Sequence, residues 1–339
     1  MERTRQSPGG AMQFTDTLRL EVALVDGKEM FAWPGAKQFE DKEIRDIVPS
    51  GMFGNGNYGI YARMLFGGGG PSFIYRESVP IGGPPALRYA FQVPRAASGF
   101  TLRVGTASAV VGFHGSIYLD PATTDLRRLE VFADDIPPGL GIKAAEDRID
   151  YVRSRIGDDE FLLPQSSSLL MASSDNVSRN RVRFSGCRRF SGESSLSFDD
   201  EEIVDVAEKA VAEMVLPPRT SLSLQLGEFD LAKSAAGDAV TAVLRAAVRR
   251  NRQTLIPKGA VAKGRILRLE TWPTAMVLSL QFSDLEWPGG HATLRMELDG
   301  LESLALARRV GYTAAGEFQF ALPAPANLRG DILRYRTLP

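Results

Sequence analysis

Imidazole and thiol are almost missing from this chain: its 339 residues hold two histidines, His114 and His291, and one cysteine, Cys187. A single cysteine excludes an internal disulfide and any multi-cysteine metal site. Zinc sites take three or four protein ligands, so two histidines far apart in sequence predict no metal, and nothing in the sequence asks for a cofactor. Also missing is an apolar run near the ~20 residues that a membrane-crossing helix needs. Basic and acidic residues number 40 and 41, for a net charge of -1, which argues against a nucleic-acid-coating protein. The start lacks the charged residues, apolar stretch and small-residue cleavage site of a secretory signal. Taken literally, that gives a cytoplasmic protein. A strand pattern entered at about Thr17 with little lead-in reads instead as a truncated or processed chain.

What is present is alternation. Thr17 to Val25 places Leu18, Leu20, Val22 and Leu24 on one face, and Asp26-Gly27 then leads into Lys28 to Trp33. An Asp-Gly pair between two such runs is a hairpin signal, because a type I′ turn needs positive φ at both central residues. Phe39 to Val48 predicts a short amphipathic helix stopped by Pro49 and Gly51, and a glycine-rich region runs from Gly51 to Gly70, its last four residues, Gly67 to Gly70, reading as a loop. It is no phosphate loop, since Pro71-Ser72-Phe73 follows where a Lys-Ser/Thr pair would be required.

Period-2 runs then recur at Leu87–Val93, Phe100–Val104, Ala109–Phe113, Ile117–Asp120, Leu126–Phe132, Arg148–Ile156, Phe161–Met171 and Arg179–Phe190. With no long helices between them they predict an antiparallel sheet. Ile203 to Val215 is the clearest helical stretch, ended by Pro217-Pro218. Beyond it strands resume at Ser221–Leu226, Ala239–Val248, Gly259–Glu270, Ala275–Phe282, Ala292–Leu298 and Phe318–Leu322. The expected organisation is mainly β. Residues 1–200 form an antiparallel half-barrel with a short helix, 201–216 a helical linker, and 217–339 a small β-barrel or sandwich.

Candidate chemistry is thin. His114 ends an apolar strand beside Ser116 and Asp120, and His291 follows Gly289-Gly290 in a turn. Asp134-Asp135 and Asp158-Asp159-Glu160 pair acids in turns, where carboxylates ordinarily face water rather than converge in a cleft. Cys187 has Arg188 and Arg189 beside it but no hydrolase signature. It reads as a half-buried strand residue or as half of a disulfide reaching outside this sequence. A hydrolase is therefore the weakest reading, and no catalytic residue is assigned.

Two features point to binding. An open curved sheet with one apolar face needs something against it, and the expected lining is Leu87, Tyr89, Phe91, Leu102, Val104, Val111 and Phe113. The ligand would be apolar or lipid-like; equally, the Phe39–Val48 helix could fill that face. The second feature is charge: Arg245 to Arg268 contains eight basic residues and no acid. Arg245, Arg249, Arg250, Arg252, Lys263 and Arg265 are expected to gather at one rim of the second barrel and dock an anionic component. Parity places Lys263 and Arg265 on one side of their strand, with Arg268 opposite unless a bulge intervenes. Arg179, Arg181 and Arg183 likewise share a strand face. Aromatic residues are not interleaved with these cations, which argues against single-stranded nucleic acid.

The run Phe113-His-Gly-Ser-Ile-Tyr-Leu-Asp-Pro-Ala-Thr-Thr-Asp-Leu-Arg-Arg-Leu-Glu130 resembles the half-barrel of bacterial lipoprotein carriers and sigma-factor regulators. There a Gly-x-x-x-x-Asp-Pro strand turns back into Leu-x-x-Leu. Leu18–Gly35, Ile149–Gln165 and Asn180–Phe198 together resemble a family of secreted bacterial proteins without an assigned activity. Gly237–Leu244 with Leu255-Ile-Pro-Lys-Gly-Ala-Val-Ala-Lys-Gly-Arg265 resembles the barrel of the type IV secretion outer-membrane scaffold subunit, in which an Ile-Pro-x-Gly turn feeds a strand. These resemblances imply a periplasmic or cell-envelope location and a non-enzymatic role. They transfer no catalytic residue.

Overall fold

The computed structural model describes residues 1–25, 28–36, 39, 44–48, 51–52, 57–67, 69–188, 216–301, 310–312, 317–321, 327–328 and 331–338. The first part of the chain supplies strands β1 (Glu2–Gln6), β2 (Gln13–Thr17), β3 (Glu21–Val25) and β4 (Lys28–Ala32), then helices α1 (Ile44–Ile47) and α2 (Asn57–Phe66). Strands β5 (Ile74–Pro80), β6 (Pro85–Val93), β7 (Thr101–Val104), β8 (Ala107–Val110), β9 (Gly112–Leu119), β10 (Leu126–Asp134), β11 (Ile142–Ile156), β12 (Asp159–Ser173) and β13 (Val177–Arg183) follow. The fold is mainly β, with a curled half-barrel and several small sheets around it. Nine antiparallel strands run in the order β2-β1-β13-β12-β11-β10-β9-β6-β5, while β3–β4 and β7–β8 are separate hairpins.

One face of this sheet is apolar because alternate residues point the same way. Phe91 and Val93 of β6, Phe113 and Ile117 of β9, Leu129 and Val131 of β10 and Ile149 of β11 are all buried there. Tyr61 and Leu65, four apart on α2, lie over them, and Phe100 joins Tyr61 and Phe113 in edge-on ring contacts with centroids 5.8–6.0 Å apart. Gly115 permits the close packing: a Cβ there would collide with the Glu130 carbonyl and the Phe91 ring.

The second part holds β14 (Ser221–Leu226), β15 (Phe229–Asp230), β16 (Ala239–Leu244), β17 (Val248–Arg250), β18 (Gln253–Ile256), β19 (Val261–Thr271) and β20 (Ala275–Trp287). It continues with β21 (Gly290–Thr293), β22 (Met296–Leu301), β23 (Val310–Tyr312), β24 (Phe318–Ala321), β25 (Asn327–Leu328) and β26 (Ile332–Thr337). Its main sheet runs β22-β26-β14-β16-β19-β20-β24-β23, with β21 on β20. The sheet folds over itself: the Tyr335 hydroxyl on β26 donates to the Leu280 carbonyl on β20 at 3.1 Å, and Tyr335 meets Phe282 edge-on at 5.5 Å.

Strand β2 ties the two parts together. Leu18 forms a parallel bridge to Ala236, the Ala236 N–H donates to the Thr17 carbonyl, and the Arg19 N–H donates to the Ala236 carbonyl. Leu18, Phe31, Ile44, Val48 and Ala236 make a small core of their own at this junction.

Several expectations are corrected. The chain does not enter its first strand at Thr17, since β1 and β2 precede it. Nor is Thr17–Val25 one strand: Leu18 turns into the junction and is buried, whereas Val22 on β3 is exposed. The glycine-rich stretch holds α2, which stops at Gly67, where a Cβ would collide with the Arg63 carbonyl. Of the expected Phe39–Val48 helix, only Ile44–Ile47 is helical among the described residues. Ala239–Val248 breaks after Leu244, and Arg179–Phe190 ends its strand at Arg183. Cys187 is therefore exposed beyond that strand rather than half-buried within it. The expected helix Ile203–Val215 lies outside the described residues.

Candidate functional site

Strand β16 pairs with β19 through Val243 and Val261 and then releases the chain. The Gly259 N–H donates to the Leu244 carbonyl at 2.9 Å, and the Leu244 N–H donates to the Ala260 carbonyl at 2.8 Å. Residues 245–258 thus leave the barrel wall and return to the same place. Hairpin β17–β18 is the body of this excursion, with Val248 opposite Ile256 and Arg250 opposite Gln253. Val248, Leu255 and Ile256 are buried in the barrel core and anchor it.

The excursion carries Arg245, Arg249, Arg250, Arg252 and Lys258, and no acid. All five are exposed. Arg245 donates to the Gln225 side chain at 2.9 Å. Arg249, Arg250, Arg252 and Lys258 make no ion pair among the described residues. At the tip, Asn251 and Arg252 have φ of 48° and 68°. A type I′ turn needs such values, and asparagine tolerates them, but the second position favours glycine. Arg252 therefore holds its guanidinium at the tip in a conformation that costs a residue with a Cβ about 1 kcal/mol.

Lys263 and Arg265 stand on β19, beyond the excursion, and each has a partner of its own. Lys263 pairs with Glu286 across β19–β20 at 2.6 Å, and Arg265 donates to the Gly237 carbonyl at 2.6 Å, beside the junction. A bulge between Ile266 and Arg268 restores the outward parity of Arg268. That side chain bonds Glu270 at 2.8 Å and Glu317 at 2.7 Å. Its charged form is strongly favoured, chiefly by the hydrogen bond to Glu270.

Four of the seven expected lining residues are covered by the protein itself. Phe91, Leu102, Val111 and Phe113 are buried in the core with Tyr61 and Leu65. Leu87 and Tyr89 are half-buried, and Tyr89 meets Tyr75 edge-on at 5.5 Å. Val104 is exposed at the end of the β7–β8 hairpin, where the strand has run past the core.

The opposite face of the half-barrel is a polar ladder. Arg88 bridges Glu77 and Ser116, Tyr118 donates to Glu130 at 2.7 Å, and Arg128 donates to Asp150 at 2.6 Å. Arg179, Arg181 and Arg183 extend it along β13, opposite Leu170, Ser168 and Ser166. His114 lies on the same face, with Nδ1 2.7 Å from Asp134 and its ring stacked on Phe132 at 5.4 Å. Asp134 orients the ring, but Ser116 is engaged by Arg88, and the Asp120 carboxylate accepts the Ala122 and Thr123 backbone N–H groups. Both groups are thus engaged elsewhere, and among the described residues the imidazole is bonded to Asp134. His291 is exposed on β21, in the other part of the chain. Among the described residues, no group of three or more His, Cys, Asp or Glu side chains is placed to hold a metal ion, and no helix is long and apolar enough to cross a membrane.

No protein-family model matches the chain, nor does any curated protein or solved structure.

Proposed function

We propose that this chain is a non-enzymatic protein of the cell envelope that docks on a phosphate-bearing surface through the hairpin excursion 245–258. One observation carries the reading: five cations and no acid stand on one anchored projection, whose tip keeps an arginine where glycine would be at ease. Guanidinium groups suit phosphate because their planar N–H forks match its oxygens two at a time. Anionic lipid headgroups are the surface proposed. The envelope location rests on the resemblance of Leu18–Gly35, Ile149–Gln165 and Asn180–Phe198 together to secreted bacterial proteins. An apolar ligand on the half-barrel face is the less favoured reading, because Tyr61 and Leu65 already cover it.

The test is co-sedimentation with phosphatidylglycerol vesicles and, separately, phosphatidylcholine vesicles, at low and high salt. The reading expects binding only to the former, weakened by salt and lost when Arg249, Arg250 and Arg252 together become serine. Equal binding of that triple variant, or none by the wild type at low salt, overturns it.

A further inference from the structure

A cleft of about 310 Å³ opens where β2 meets the second part of the chain. Its floor is apolar and buried: Leu231 from the turn after β15, Leu269 from β19 and Met276 from β20. One wall is Phe14, which is 53% exposed on β2 despite its size. Arg19 and Lys233 stand at the rim. Among the described residues, Nη1 of Arg19 alone is used in its pair with Asp238, and a guanidinium has five N–H donors. Lys233 holds Asp230 at 3.2 Å through one ammonium whose side chain is 86% exposed.

We infer that this cleft binds a small amphipathic carboxylate, its apolar body on Leu269 and Met276 against the Phe14 ring and its carboxylate on Arg19 and Lys233. The volume lies at the lower end of ligand pockets, ~300–1,000 Å³, which restricts the guest to a single-ring acid or a short fatty acid. An exposed phenylalanine beside three buried apolar side chains leaves apolar surface that such a body would cover. Asp230 and Asp238 balance the two cations, so the rim is close to neutral and does not attract anions at long range. Selection for a carboxylate comes from the unspent donors at short range. The inference does not depend on the hairpin, which lies on another part of the barrel.

Calorimetric titration of the whole chain with octanoate tests this, with octan-1-ol as the uncharged control. The wild type binds octanoate saturably, and octan-1-ol at least tenfold more weakly. Phe14→Ala and Lys233→Gln each weaken octanoate about tenfold, and Ala232→Trp, at the cleft lining, abolishes it. The variant with Arg249, Arg250 and Arg252 changed to serine binds octanoate as the wild type does, which separates this site from the docking surface. If Ala232→Trp does not fold by circular dichroism, Phe14→Ala decides, because that side chain is largely outside the core. No saturable heat with folded wild type at millimolar octanoate overturns the inference. So does undiminished binding by both Phe14→Ala and Lys233→Gln.

Discussion

Arg3 and Asp16 face each other across β1 and β2 as a two-pronged ion pair, and both are almost wholly shielded from water, at 4% and 1% exposure. Glu270, from the second part of the chain, lies 3.7 Å from the same guanidinium, and Arg268 links Glu270 to Glu317. Two cations and three carboxylates thus meet where the two parts join, with Arg3, Asp16 and Glu270 almost wholly shielded and Arg268 still 20% exposed. Removing one member strands the others. Arg3→Ala is expected to cost about 3–5 kcal/mol in denaturant unfolding. Arg3→Met with Asp16→Leu is expected to recover most of that, because an apolar pair leaves no charge without a partner. A loss below about 1 kcal/mol for Arg3→Ala would show that the network does not hold the junction.

Arg252→Gly separates folding from docking. Glycine relieves the positive φ at the hairpin tip, and the expected gain in stability is about 1 kcal/mol. The same change removes a tip guanidinium, so binding to phosphatidylglycerol vesicles should fall while thermal stability rises. Stabilisation without loss of vesicle binding would make Arg252 a bystander.

Tyr118 supplies a pH test. Burial, reinforced by the Glu130 carboxylate that accepts a hydrogen bond from its hydroxyl, pushes its phenol from the ordinary 10 up to about 12. Between those values the unfolded chain gives up the proton and the folded chain keeps it. The stability this group contributes is therefore whole below pH 10 and drains away as pH rises towards 12. Tyr118→Phe should flatten that part of the stability profile, and its ultraviolet difference spectrum should lose the late tyrosinate step. An unchanged alkaline slope in the variant would contradict the assignment.

Tyr61→Ala asks whether α2 closes the half-barrel. Tyr61 is fully buried between Phe100 and Phe113, so its truncation should cost about 3–5 kcal/mol and leave a dry apolar cavity. The folded variant should then bind benzene, which the wild type should not. A variant as stable as the wild type, or one that does not take up benzene, would mean that other groups seal the face.

What could be read from the residues divides along physical lines. The break between the runs Ile117–Asp120 and Leu126–Phe132 was legible, and Asp120 fixes the turn there, accepting from the Ala122 and Thr123 backbone N–H groups. The alternation of β16 was legible because its inward residues Val240, Ala242 and Leu244 are packed and the others are not. Helix α2 was hidden, since its buried contribution comes through Tyr61 and Leu65 while glycines crowd both flanks. The clustering of Arg249, Arg250 and Arg252 could be foreseen from their closeness in sequence. The diversion of Lys263 to Glu286 could not, because that partner sits on the neighbouring strand. Nor could the cleft be foreseen, since Phe14, Leu231 and Met276 are brought together only by the meeting of the two parts.

Strand β1 pairs with β13, so that Glu2 lies opposite Arg181 and Gln6 opposite Val177. On the ribosome, this makes the half-barrel a structure that cannot be completed early. At ~5–20 residues per second, β1 waits on the order of ten seconds or more for its neighbour to emerge. During that wait Arg3 can find Asp16 on the adjacent strand but not Glu270, which is made later still. Closure of the sheet is thus a late, long-range event of the kind that slows β-rich folding, and the waiting strand edge is where a chaperone would have most to protect.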